Sequence, residues 1–139
     1  RVGEQLAFTL RANPVVARKK EGRKHFVKHD VWMDAKREGR IQGLEGDKLQ
    51  SFITGQVKQW LLVRGAEKGF SVLPEDVELQ GYQQHQVYKK KVGKPIKYSS
   101  VDFQGVMTVD DPDAMQKTLF DGIGKAKGFG CGLMLIRRV

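Results

Sequence analysis

The chain opens with alternating apolar and polar positions, the pattern of a β-strand with one buried face. Leu6, Phe8 and Leu10 fall on the same side of the segment 5–12. An Asn-Pro pair follows at once. Because proline cannot donate a hydrogen bond to a sheet, the pair marks the end of the strand. The sequence therefore predicts a first strand over residues 5–12.

Two later segments carry the signals of helices. From Asp47 the apolar positions repeat at i, i+3 and i+4, which predicts an amphipathic helix that Asp47 caps and that ends near Gly65 or Gly69. The acidic run at 110–113 contains a proline and predicts the start of a second helix, which ends by Gly122. Capping explains these carboxylates better than a magnesium site does.

The remaining apolar segments predict strands at 70–73, 77–88, 101–109 and 133–136. Alternation along 101–109 slips at Gln104-Gly105, which indicates a β-bulge. A basic loop is expected over 18–28, a glycine-rich break in structure from Gly39 to Gly46, and a basic hairpin tip over 89–97. Helices that cross between strands, together with a hairpin, predict an α+β fold, a ferredoxin-like sandwich of the RNA-recognition type. At 139 residues the chain is expected to form a single domain, 1–139.

The charge of the chain favours a polyanionic partner. It has 25 Lys and Arg residues against 16 Asp and Glu, a formal net charge of +9, and a pI near 9.8. RNA or DNA is the first expectation and an anionic membrane surface the second. The longest apolar runs have four residues, far fewer than the roughly 20 needed to span a bilayer.

Cysteine content and the first residue set further expectations. Cys131 is the single cysteine of the sequence, which excludes an internal disulfide framework and the usual thiolate zinc site. A reducing compartment, the cytoplasm, is therefore expected, and no signal peptide is evident. Because the sequence begins with Arg1 rather than Met, we expect a fragment, a processed product or a trimmed form of the protein. His25 and His29 are four apart, but no carboxylate or thiol set completes a metal site, so neither a metal nor a cofactor is expected.

Two basic clusters are candidates for nucleic-acid contact. One lies within 18–28, and the other comprises Lys89, Lys90, Lys91, Lys94 and Lys97. Each ammonium group can replace a counterion at a phosphate. The flanking aromatic residues Phe26, Tyr88 and Tyr98 can stack on bases. The alternative interpretation of each cluster is a solvated protein face.

The glycine-rich segment near the C-terminus is the third candidate. It contains Gly122, Gly124, Gly128, Gly130 and Gly132, together with Lys125 and Lys127. The glycine spacing does not match a dinucleotide-binding fingerprint, and the segment follows a helix rather than a strand. Bare backbone N–H groups here can approach a phosphate. The alternative is tight packing of a turn.

Two stretches together resemble a known family. They are Leu10-Arg11-Ala12-Asn13-Pro14 and the segment 122–135, which Val101-Asp-Phe-Gln-Gly105 precedes. In this order they are similar to the C-terminal half of the CasE family, the CRISPR repeat-processing endoribonucleases of the type I-E Cascade complex. Residues 35–56 match the family pattern poorly.

The resemblance implies two tandem ferredoxin-like domains, of which this chain is the second. It implies binding to the CRISPR repeat stem-loop, metal-independent cleavage, and retention with the other Cascade subunits. The family's catalytic histidine lies in the N-terminal domain, so no catalytic residue is assigned here, and that domain is an expected partner. RNA contacts are implied for the hairpin lysines, for Lys127 and, from the resemblance alone, for Arg11.

Two other functions remain open at this point. One is a non-catalytic RNA-binding module, and the other is an assembly subunit whose basic faces bind acidic proteins. A sheet with exposed paired aromatic residues favours the first of these alternatives.

Overall fold

The fold is described here from a computed structural model. It covers the backbone of residues 1–19, 26–88, 95–127 and 130–139, and side chains at these positions except 17–19, 26–28 and 95. The elements in chain order are β1 (Gln5–Ala12), β2 (Val15–Lys19), β3 (Phe26–Asp30), α1 (Val31–Ile41), α2 (Gly46–Lys68), β4 (Phe70–Ser71), a 3-10 turn (Pro74–Asp76), β5 (Val77–Tyr88), β6 (Pro95–Val109), α3 (Pro112–Asp121) and β7 (Met134–Arg138).

The main sheet is antiparallel and has β1 and β6 at its centre. Its order is β4-β6-β1-β7, and β5 pairs with β6 on the edge away from β1. Helix α3 connects β6 to β7, which returns to pair with β1. This split β-α-β arrangement is the ferredoxin-like fold, so the predicted fold class is confirmed. Strands β2 and β3 form a separate two-stranded sheet.

The core lies between one face of the main sheet and the long helix α2. Leu6, Phe8 and Leu10 are buried, as the alternation along β1 predicted. They join one hydrophobic cluster with the buried stripe of α2, which includes Ile53 and Val57. Burying each side chain of this size contributes about 1.5–3 kcal/mol relative to leaving it exposed. The stability of the main sheet therefore depends on its packing against α2.

Helix α2 and helix α3 confirm most of the predicted boundaries. Helix α2 ends at Gly69, whose φ of +100° is in the left-handed region. The predicted cap at Asp47 is wrong: Glu45 occupies the N-cap without a side-chain hydrogen bond, and Asp47 lies in the first turn. At α3 the side chain of Asp111 accepts from the backbone N–H groups of Asp113 and Ala114, as a capping carboxylate does.

Helix α1 was not predicted, because Gly39 looked like a break in structure. In the fold Gly39 lies inside the helix and is buried. A Cβ at Gly39 would lie 2.6 Å from Leu49 Cδ1 and 3.1 Å from Phe52 Cδ1. The glycine therefore lets α1 approach α2 closely.

Some predicted loop and strand boundaries also change. Residues 18–19 and 26–28, expected in a loop, belong to β2 and β3. Strand β6 begins at Pro95 rather than at 101, so Lys97 lies within the strand. Strands β4 and β7 differ from the predicted 70–73 and 133–136 by two residues at their C-terminal ends.

The predicted bulge at Gln104-Gly105 is wrong, because β6 pairs with β1 without a shift there. Gly105 takes an inward position beside the end of the 3-10 turn, where a Cβ would collide with the backbone carbonyl oxygen of Asp76. The irregularity is on the facing strand, between Gln80 and Gln83. Gly81 there has a φ of +55°, as expected of a glycine bulge.

This bulge places Tyr82 against the start of α1. Its ring stacks on Trp32 with centroids 4.6 Å apart. Its hydroxyl donates to Asp30 Oδ2 at 2.6 Å, while Asp30 Oδ1 accepts from the backbone N–H of Trp32. Asp30 therefore caps α1 and joins it to β5 at the same time.

Tyr82→Phe is expected to reduce the loss of stability at alkaline pH. Burial, and then the hydrogen bond to Asp30, raise the pKa of Tyr82 to about 12. In the unfolded chain a tyrosine ionises near pH 10, so the stabilisation is complete below about pH 10 and is lost as pH rises through the folded pKa. Urea unfolding across this range should show a shallower decline for the variant. Tyr88→Phe, at a residue that is 76% exposed, is the matched control, and identical declines for both variants would contradict the role of Tyr82.

Candidate nucleic-acid interface

A groove of about 890 Å³ lies where the β5–β6 ladder meets the glycine-rich segment. We call it the basic groove, and its lining residues are Asn13, Val15, Asp30, Gln84, His85, Gln86, Ile96, Lys97, Tyr98, Ser99, Lys125 and Ala126. Two residues predicted from different clusters, Lys97 of the strand and Lys125 of the segment, line it together. Both residues are exposed. A polyanion in this groove would meet both ammonium groups.

An aromatic pair forms part of the same groove. His85 and Tyr98 are partners across the β5–β6 ladder, and their rings stack with centroids 4.6 Å apart and an interplanar angle of 19°. The Nε2 of His85 lies 2.7 Å from the hydroxyl oxygen of Ser100. These contacts fix the orientation of the imidazole and leave a half-buried flat surface next to the cations, which suits base stacking.

The neighbours of His85 are not evident from the sequence. Ser100 and Tyr98 become its neighbours only through the register of β5 on β6. The bulge in β5 shifts that register, and no pattern in the sequence locates the shift. Tyr98 was named as a candidate for stacking, and the structure places it in the basic groove.

The base of the basic groove is tied to the end of β1. Asn13 is 5% exposed, and its side-chain amide donates to the carbonyl oxygen of Ser99 at 2.7 Å. This bond joins the strand-ending Asn-Pro pair to β6 directly beneath the groove. The pair thus has a structural role that its position in the sequence did not reveal.

The glycine-rich segment closes on itself and on β1. The N–H of Gly132 donates to the carbonyl of Arg11 at 2.6 Å, and the N–H of Ile123 donates to the carbonyl of Gly132 at 2.8 Å. A Cβ at Gly122 or Gly132 would lie 2.9 or 2.7 Å from a backbone oxygen. Tight packing, the alternative raised from the sequence, accounts for these two glycines. Gly124 is less crowded, with its nearest neighbours at 3.5 Å.

Gly130 differs from the other described glycines of the segment. It has a φ of +85°, but a Cβ there would meet nothing within 4 Å. Lys127 is exposed nearby in the chain. Cys131, which precedes β7, is buried, and burial raises the pKa of its thiol.

Arg11 lies apart from the basic groove. It is on the sheet face opposite the core, where its Nε donates to Asp102 Oδ1 at 2.8 Å. The bond to Asp102, followed by the charge of that carboxylate, raises the pKa of Arg11. Both side chains are largely exposed, so the pair adds little to stability. The structure therefore does not bring Arg11 together with Lys97 and Lys125.

Several predicted residues cannot be placed. Lys89, Lys90, Lys91, Lys94 and Gly128 lie outside the described residues, as does His25. Among the residues that are described, no group of three or more His, Cys, Asp or Glu side chains converges to hold a metal ion. The described helices include none that is long and apolar enough to cross a bilayer.

The fold and the basic groove together define a ferredoxin-like domain with lysines in a surface groove. A family profile described as "CRISPR associated protein" matches residues 1–138. The chain therefore belongs to this CRISPR-associated family, and its relatives place it in the CasE branch that the sequence motifs resembled.

Three relatives illustrate the relationship. The chain is 30% identical over 133 residues to the "CRISPR system Cascade subunit CasE" of Escherichia coli (strain K12), covering 96% of this chain and 58% of the relative. It is similar to the "CRISPR endoribonuclease Cse3 bound to 19 nt RNA", with a TM-score of 0.67, 26% identity and coverage of 99% and 57%. For "the CRISPR-associated protein Cas6e from Escherichia coli str. K-12" the TM-score is 0.62, at 25% identity and coverage of 100% and 63%. The chain thus spans less than two thirds of each relative.

Proposed function

We propose that this chain binds the stem-loop of a CRISPR repeat RNA in the basic groove. The observation that carries the proposal is the meeting of Lys97, Lys125 and the His85–Tyr98 stack in one groove. Cations next to a flat aromatic surface match the two features of RNA that a protein recognises most readily, phosphates and exposed base faces. A related endoribonuclease has been solved with RNA bound, which supports the same ligand here.

The charge of the chain and its connectivity support RNA over a neutral ligand. The net charge is +9, and the sequence that joins β5 to β6 contributes four lysines to it: Lys89, Lys90, Lys91 and Lys94. Each lysine that meets a phosphate releases condensed counterions, so affinity should fall steeply with salt. Lys127 and Gly130 are further proposed contacts, Gly130 because of the open space beside it, and Arg11 is a proposed contact outside the basic groove.

The proposed role is that of the C-terminal part of a metal-independent endoribonuclease that matures CRISPR RNA. In such a reaction a ribose 2′-hydroxyl attacks the neighbouring phosphorus, the 5′-oxygen leaves, and a cyclic phosphate remains. The ammonium groups of Lys97 and Lys125 would hold the phosphates and offset the negative charge that develops. We assign no acid–base catalyst to this chain.

The proposed setting follows from the relatives. Residues 1–139 act as a single RNA-binding domain, in the cytoplasm, together with an N-terminal domain of the family type. The product RNA stays bound, and the protein then serves as a subunit of Cascade, as the Escherichia coli relative does.

A titration tests the proposal directly. Labelled repeat stem-loop RNA from the source genome is titrated with the chain at several salt concentrations, and a scrambled RNA of equal length serves as the control. We expect binding that favours the stem-loop and weakens steeply with salt. Equal affinity for both RNAs would support a general RNA-binding module instead.

A further inference from the structure

Helix α1 presents a basic surface that the proposed function does not use. Met33, Lys36, Arg37 and Arg40 stand at i, i+3, i+4 and i+7, so they share one face of the helix. Ile41 borders this face, and Met33 and Ile41 are 42% and 72% exposed. We call these five residues the helix stripe. It combines three cations with exposed apolar side chains.

The cations of the helix stripe are not paired with any acid among the described side chains. Within the described part of the chain, none of Lys36, Arg37 and Arg40 forms an ion pair, whereas Arg11 and Arg64 do. Their ammonium and guanidinium groups are therefore available to a ligand. Arginine is well suited to phosphate because its planar fork donates two parallel hydrogen bonds.

Two acids, Asp30 and Asp34, lie close to the helix stripe. Asp30 accepts from two backbone N–H groups of α1 and from the hydroxyl of Tyr82. Asp34 also lines the cleft between α1 and α2, with Phe52 and Trp60. The carboxylate of Asp30 is therefore occupied by these three donors, and the outward face keeps its three cations.

The helix stripe adjoins the basic groove. A shallow groove of about 600 Å³ runs along α1 from His29 to Ile41 and includes the three cations. Asp30 lines both this groove and the basic groove. An RNA strand that leaves the basic groove past Asp30 would therefore meet the helix stripe next.

We propose that the helix stripe binds the phosphate backbone of the single-stranded RNA that continues from the stem. The inference rests on the proposed function, because the basic groove must hold the stem. A single strand fits better than a second duplex, since its unstacked bases can contact Met33 and Ile41.

The test compares two RNAs and two variants. The RNAs are the blunt repeat stem-loop and the same stem-loop with a short oligouridine tail. The stripe variant carries Lys36→Gln, Arg37→Gln and Arg40→Gln, which keep good helix formers in α1. The control variant carries Lys48→Gln, Lys117→Gln and Arg138→Gln, the same change in charge at exposed residues that line neither groove. Circular dichroism verifies that both variants are folded.

We expect the wild type and the control variant to bind the tailed RNA more tightly than the blunt RNA. The stripe variant should bind the tailed RNA about tenfold more weakly than the wild type does, and the blunt RNA equally well. Its salt slope should fall by about 2, since each phosphate contact on a single strand contributes roughly 0.7. The inference would be overturned if the tail added no affinity for the wild type. It would also be overturned if the tail increased the affinity of the wild type and of both variants equally.

The two proposals fail in different ways. Loss of stem-loop preference in the wild type would remove the proposed function. Oligouridine alone, bound by the wild type and not by the stripe variant, would in that case still support single-strand binding by α1. Equal losses for blunt and tailed RNA would place the helix stripe on the stem, which contradicts its assignment to the single strand.

Discussion

The double variant Lys97→Gln and Lys125→Gln is expected to bind the repeat stem-loop about tenfold to a hundredfold more weakly than the wild type at roughly 0.15 M salt. The two lysines come from different elements and meet in the basic groove. Removing both deletes two phosphate contacts without disturbing the core, because both side chains are exposed. The slope of log affinity against log salt should become shallower by nearly 2.

A matched variant separates this effect from the loss of net charge. Lys48→Gln with Lys117→Gln removes the same charge from exposed positions that do not line the basic groove. We expect it to change affinity by about twofold or less. Filter-binding titrations of both variants on the same RNA measure the two affinities. An equal loss of affinity in both variants would mean that the basic groove holds no RNA and that only the total charge matters.

Gly132→Ala is expected to reduce the free energy of unfolding by about 3 kcal/mol. Gly132 has a φ of +90°, which disfavours any side chain. Its Cβ would also lie 2.7 Å from the carbonyl oxygen of Ile123, a backbone atom fixed by the bond that Ile123 makes to Gly132. The strain therefore falls on the hydrogen bonds that hold the glycine-rich segment to β1.

The same substitution at Gly130 is the control, since its φ of +85° is nearly the same but the space beside it is open. We expect Gly130→Ala to cost only about 1 kcal/mol, from backbone conformation alone. Urea unfolding measures both. If the two variants were equally stable, the crowding at Gly132 would have no energetic consequence.

The fold was largely predictable wherever local pattern and tertiary packing agree. Alternation located β1, and the period of 3.6 located α2, because each buries one face against the other. The capping carboxylate at Asp111 placed the start of α3 correctly. These signals are local, so a single sequence carries them.

Two of the errors share a physical cause: the role of a glycine depends on what lies next to it in space. Gly39 looked like a helix breaker but lets two helices pack closely, and Gly105 looked like a bulge but makes room for the 3-10 turn. The true bulge is at Gly81, on the facing strand. No local pattern distinguishes these cases.

The candidate site was predictable as a set of charged segments but not as a surface. Lys97 and Lys125 were both named from the sequence, and the structure adds that they line one groove. The stack of His85 on Tyr98 depends on strand register, and Arg11 turned out to pair with Asp102 on another face. Spatial convergence is the information that the sequence lacked.

The most direct test of RNA binding in the basic groove is an NMR titration of the isotopically labelled chain with the repeat stem-loop. At 15.7 kDa the free chain is well suited to the measurement. We predict that the largest amide shift changes fall on the groove residues Tyr98, Lys125 and Ala126. Changes confined to the opposite sheet face, around Arg11 and Asp102, would contradict the account.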